Sequence, residues 1–151
     1  MAINRVSASA VIPAPAEKVY GIIADYHNGH PHILPKPYFT SLEVVEGGIG
    51  AGTVVAFSMR LMGRTQHFRA TVSEPEPGRV LVETNDTGAV TSFTVDPQPG
   101  GQCRVTIATE TSVRDGIGGK IEGWMTHRLL HPIYVKELAQ LTAFAQESHK
   151  K

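Results

Sequence analysis

The sequence predicts an α+β domain in which a curved antiparallel sheet of about seven strands wraps one long C-terminal helix, with two short helices after the first strand. Three observations carry that expectation. The text between Tyr38 and Val113 is an unbroken series of short alternating segments separated by compact turns. No helical period interrupts that series, which is the mark of an antiparallel meander. The last thirty or so residues switch to helical spacing and offer the one element large enough to cover the apolar face of such a sheet.

The elements follow in order. Val6, Ala8, Ala10 and Ile12 alternate with Arg5, Ser7, Ser9 and Val11, a period of two with one apolar face, until Pro13 ends the run. Pro15 suits the first turn of a helix, where its missing N–H would have had no partner. Val19, Ile22, Ile23 and Tyr26 then recur at helical spacing. Segment 27–37 holds three prolines and a glycine, leaving room for one short helix at most. Leu42 and Val44 precede the glycine turn at 47–52. Val55, Phe57, Met59 and Leu61 share one face of the next strand, which Gly63 breaks. Phe68, Ala70 and Val72 alternate up to the turn at 74–78, and Val80 and Val82 follow. Ala89, Thr91, Phe93 and Val95 alternate up to the turn at 96–101, and Val105, Ile107, Thr109 and Thr111 close the series.

The final helix is predicted from about Ile117 to Ser148, close to 45 Å of rod. Its first part presents Ile117, Ile121, Trp124 and Met125, and its second part Leu130, Tyr134, Leu138, Leu141 and Ala145. Pro132 between them removes one backbone bond and crowds the Arg128 carbonyl, so a kink or break is expected there. A curved sheet closed by one helix packs imperfectly along its middle, and the resulting gap is a default small-molecule site.

Composition limits the function classes. At 151 residues the chain reads as one domain, residues 1–151, able to hide roughly 70% of its unfolded surface. Fourteen basic residues balance fourteen acidic ones, so no global field draws nucleic acid. No segment approaches the ~20 apolar residues of a membrane span. No signal-peptide pattern opens the sequence, and the expected location is the cytoplasm. Cys103 is the single cysteine, so no internal disulfide forms.

Several local signatures resemble the START-like (SRPBCC) superfamily, and within it the polyketide cyclase/dehydrase and lipid-transport family. They are the opening strand running into IPAPAEKVYGIIADY at 12–26, the glycine turn at 47–52, and Gly63 between two strands. TVSEPEPGRV at 71–80, GGQCRVTI at 100–107 and the proline-bearing final helix complete them. The resemblance covers nearly the whole chain and implies the helix-grip fold. It also implies that the loop at 115–120 lies near a pocket entrance. Members of the superfamily include lipid carriers, hormone receptors and aromatase/cyclases, so fold alone does not fix activity. Members often carry a tryptophan just after the first helix, where this chain reads YHNGHPHILP. That end of the pocket is therefore expected to be shaped differently.

Candidate chemistry divides into weak and stronger signals. His27, His30 and His32 fall within six residues and three imidazoles are able to share a metal, but a polar loop broken by proline explains them as well. No metal site is assigned. His127 and His131 share a helical face, yet Arg128 stands where zinc-binding helices carry glutamate. GGIGAG is followed by a strand and not by the helix a phosphate loop requires. No cofactor is expected. Phe57, Met59, Leu61, Phe68, Phe93, Trp124 and Met125 are expected to line the cavity, with Arg128 and Tyr134 as polar groups on the helix. Tyr26, Tyr38, Arg60 and Glu83 are further polar candidates, while strand parity turns His67 and Arg69 outward. The expected ligand is a hydrophobic small molecule such as a lipid, isoprenoid or polyketide-like compound. The alternatives are an aromatase/cyclase-type enzyme and a protein-interaction module using an outer apolar patch near Val54 and Met62.

Overall fold

The computed structural model describes residues 2–149. Strands β1 (Ala2–Ile12), β2 (Phe39–Glu46), β3 (Val54–Leu61), β4 (Arg64–Glu76), β5 (Val80–Asn85), β6 (Val90–Gln98) and β7 (Gln102–Val113) form one sheet. Every neighbouring pair is antiparallel, in the order β1-β7-β6-β5-β4-β3-β2. The hairpin meander from β2 to β7 thus ends beside β1. The chain between β1 and β2 must travel from one sheet edge to the other. Helix α1 (Ala16–Ala24) and a single 3-10 turn (His30–Ile33) make that crossing. They are the two short helices expected after the first strand.

Hairpin register decides which residues face inward. In β3 and β4, Phe57 lies opposite Phe68 and the rings stack with centroids 5.2 Å apart. The two-residue link Met62–Gly63 has positive φ at both positions, the twist that a tight hairpin between right-twisted strands requires. In β5 the inner face is Leu81, Glu83 and Asn85, since Leu81 pairs with Phe93 and Glu83 with Thr91. The alternation Val80/Val82 is the outer one. Partners opposite one another share a face, so a glutamate is carried to the concave side.

Helix α2 runs from Gly116 to His149 with Pro132 inside it. The expected break at Pro132 does not occur. Arg128 and Pro132 both lie on the exposed side, where water meets the carbonyl that proline leaves without a donor. The second half buries Ile133, Leu138, Leu141 and Ala145 in the core. The first half departs from expectation, because Ile117, Ile121, Trp124 and Met125 point to solvent, with Ile117 77% and Trp124 61% exposed. Gly119 and Gly123 take the inward side instead. A Cβ on Gly123 would stand 2.7 Å from Asn4 Oδ1 on β1, and one on Gly119 would stand 1.5 Å from the Arg114 carbonyl oxygen. The rod therefore approaches β1 backbone-first, and larger side chains are forced outward. No helix is long and apolar enough to cross a membrane.

These glycines yield a matched test. Gly21 is exposed within α1 with nothing within 4 Å of an added Cβ. Gly21→Ala is expected to raise stability by about 1 kcal/mol through helix propensity alone. Gly119→Ala gains the same propensity but meets backbone, and overpacking of about 1–3 kcal/mol reverses the sign. Urea unfolding midpoints of the two variants measure both.

Candidate functional site

The glycine turn at 47–52 seats the end of α1 rather than a phosphate. Gly48 accepts a hydrogen bond from the Tyr26 N–H at 2.8 Å, and Gly50 donates to the Ala24 carbonyl at 2.9 Å. The Glu74 carboxylate ties the same turn to α1, accepting from the Ala51 N–H at 2.7 Å and from the Tyr20 hydroxyl at 2.6 Å. Gly50 has φ of 66°, and a Cβ there would stand 2.3 Å from Glu74 Oε1, so a side chain would displace the clamp. This anchoring fixes Tyr26 and His30 against the concave side of the sheet.

Between sheet and α2 lies a cavity of about 360 Å³, within the range of ordinary ligand pockets. Of the expected residues, Phe57, Met59, Leu61, Phe68, Phe93 and Tyr134 stand on its wall. Trp124, Met125 and Arg128 do not. They occupy the solvent side of α2, where the Arg128 guanidinium lies 5.1 Å from the centre of the Trp124 ring. The glycine-first approach of α2 to β1 is the cause. Gln66 and Thr87 are exposed lining residues at the hairpin ends and mark the open side. His67 and Arg69 are exposed residues off the cavity wall, and His67 Nδ1 lies 2.7 Å from the Ser58 hydroxyl.

The inner end is polar. The Tyr26 hydroxyl donates to Glu83 Oε2 at 2.5 Å. His30, only 2% exposed, stacks on Tyr26 and meets Phe93 edge-on. Its Nδ1 lies 2.8 Å from the Ile23 carbonyl, which only accepts, so that nitrogen carries the proton. Nε2 then faces Glu83 Oε2 at 3.6 Å. Opposite them, Tyr134, Thr109 and Thr91 form a chain of hydroxyls. Burial pushes the Tyr134 hydroxyl up to about 12. It also raises Tyr26, where the neighbouring Glu83 charge adds to the effect, so the Tyr26 proton stays on its oxygen.

Glu137 completes the group. It lines the cavity, is 2% exposed, and no hydrogen bond reaches its carboxyl from the described residues. Desolvation, followed by the nearby Glu83 charge, holds its pKa well above the usual 4.5. The site therefore brings two acidic side chains, Glu83 and Glu137, to one apolar chamber, and the pKa of Glu137 is raised there. Such perturbed pairs concentrate at functional sites.

Glu137, His30, Thr91 and Thr109 were not foreseen as wall residues. Glu137 had a readable signal, since it stands three residues after Tyr134 and four before Leu141, within the apolar stripe of the helix. His27, His30 and His32 part company, with His30 buried, His32 stacked on Phe144 and His27 against Gly48. Among the described residues no group of three His, Cys, Asp or Glu side chains is placed to hold a metal ion. Cys103 is buried in the core, and burial raises its thiol pKa.

A family model described as polyketide cyclase/dehydrase and lipid transport matches residues 4–146. The structure is similar to the solution structure of the KanY protein, with 26% identity over 97% of this chain and 99% of that one and a TM-score of 0.83. It is similar to the Zhui aromatase/cyclase from Streptomyces sp. R1128, at 17% identity, 96% and 94% coverage and a TM-score of 0.74. Norcoclaurine synthase from Thalictrum flavum, solved with dopamine and hydroxybenzaldehyde, shares 15% identity over 97% of this chain and 88% of that one, with a TM-score of 0.71. The last two likenesses show the fold alone. Among curated proteins, none matches the sequence significantly.

The raised Glu137 makes stability depend on pH. The unfolded chain releases this proton near 4.5, while the folded protein holds it to higher pH. Between those points the folded state binds more protons, so stability falls as pH rises, by at most about 1.4 kcal/mol per pH unit. Glu137→Gln removes the titration. Urea unfolding is expected to give the smallest difference between variant and wild type at and below pH 4.5, with the variant gaining as pH rises above it. A difference independent of pH contradicts a buried, proton-holding Glu137.

Proposed function

This chain belongs to the polyketide cyclase/dehydrase and lipid-transport family, and from that premise we propose that it binds a hydrophobic small molecule, of the lipid, isoprenoid or polyketide-like class, in the cytoplasm. The observation that carries this reading is the cavity of about 360 Å³ walled mostly by aliphatic and aromatic side chains. Phe57, Met59, Leu61, Phe68 and Phe93 supply apolar contact, and Tyr134 supplies a hydroxyl at the inner end. Removing apolar ligand surface from water contributes about 25 cal/mol per Å² before the costs of association. Native mass spectrometry of protein purified without denaturation is expected to show a small-molecule adduct, or uptake from a panel of fatty alcohols, isoprenols and aromatic ketones. Ala89→Phe, which projects a ring from the cavity wall, is expected to fold normally and lose the adduct. Wild-type protein that takes up nothing contradicts the reading.

A second reading, a cyclase/dehydrase-type enzyme, is favoured by the Glu83–Glu137 pair. The Glu83 carboxylate would take a proton from a methylene flanked by carbonyls. The carbanion would attack a second carbonyl held nearby, and the Glu137 carboxyl would deliver its proton to the resulting alkoxide. Transfer of one proton from Glu83 to Glu137 would restore the starting state. General acid–base contributions are typically 10²–10⁴-fold. Glu137→Gln, assayed on a poly-β-ketone that wild type cyclises, is expected to lose about that factor while keeping affinity. Equal turnover by the variant contradicts the role.

A further inference from the structure

The inner end of the cavity holds more acceptors than its own residues satisfy. Glu83 Oε2 receives the Tyr26 hydroxyl, and its other carboxyl oxygen has no partner among the described residues. Glu137 has none for either oxygen, though nearly all of its surface is buried. Among the described residues no lysine or arginine stands on the cavity wall. His30 is the one wall residue that is able to become a cation, and its Nε2 lies 3.6 Å from Glu83, beyond hydrogen-bond length. Buried polar groups in folded proteins are almost always partnered. Two adjacent acids left open toward a void therefore describe what is to enter it.

We propose that the cavity selects hydrophobic molecules whose polar end is a primary ammonium, and discriminates against those ending in a carboxylate. The ammonium carries three N–H donors, which match the open oxygens of Glu83 and Glu137, and its charge meets Glu83. Burial of an unpaired ammonium is costly, but here the opposing carboxyl is already mostly buried and held in place by Tyr26. A carboxylate ligand meets the reverse situation, a third acid beside two others with no cation to separate them. An alcohol of equal length makes the hydrogen bonds without the charge and stands between. The apolar walls hold the remainder of the molecule in all three cases. This inference rests on the cavity being a ligand site, as proposed above.

The test uses three probes of equal length, 4-phenylbutylamine, 4-phenylbutan-1-ol and 4-phenylbutanoate, titrated into the full chain by calorimetry at pH 8.5. At that pH an imidazole is ordinarily neutral and an alkylamine still charged. The amine is expected to bind at least tenfold more tightly than the alcohol, and the carboxylate more weakly than either. Glu83→Gln is expected to bring the amine to within about twofold of the alcohol, and a far-UV circular dichroism spectrum and urea midpoint close to wild type show that the variant folds. An amine no tighter than the alcohol, a carboxylate as tight as the amine, or an amine advantage that survives in Glu83→Gln overturns the inference and leaves the binding site itself standing. Failure of all three probes in wild type overturns both.

Discussion

Everything in this molecule depends on how one rod lies in one trough. The sheet is apolar on its concave side, and the second half of α2 closes it with Ile133, Leu138, Leu141 and Ala145. Toward the other end the rod descends onto β1 through Gly123 and onto the Arg114 backbone, just after β7, through Gly119. Between these two contacts a continuous helix and a curved surface diverge, and side chains span the gap only in part. A helix built with large residues at 119 and 123 would ride higher on β1 and change the shape of that gap. The cavity is thus a consequence of two close contacts and the space left between them.

That space has a chemical direction. Hairpin register turns Glu83 inward beside Thr91, while the crossing segment brings Tyr26 and His30 down upon it. From the opposite wall, α2 contributes Tyr134 and Glu137. An apolar wall alone would make a promiscuous container. Two acids at one end would impose orientation on a bound molecule, because one that turned its apolar end toward them would leave both without donors. The same low-dielectric setting keeps the Glu137 proton in place, so carrier and proton-transfer chemistry are physically adjacent outcomes in this family of folds.

The succession of strands, the two short helices and the long helix were legible because alternation and helical spacing report burial directly, and six of the expected wall residues stand on the cavity; the seat of β1 beside β7 leaves no local pattern. The failures have specific causes. In the first half of α2 the bulky apolar residues outvote glycine in any reading of periodicity, yet glycine decides how near the rod comes. Trp124, Met125 and Arg128 therefore stand outside. On β5 the run of Val80, Leu81 and Val82 does not itself choose a face, and pairing with β6 assigns the inner one to Leu81 and Glu83. Glu137 was readable as a charge inside an apolar stripe. Its neighbours in space, Glu83 above all, come from strands far away in sequence, and no local pattern joins them.

The most direct test of this account is a crystal pressurised with xenon, since an apolar void takes up the gas without needing a hydrogen bond. The account predicts xenon density between Phe57, Phe93 and Tyr134, beneath the middle of α2. A helix seated flush on the sheet, with side chains filling that volume and no xenon beneath it, would contradict it.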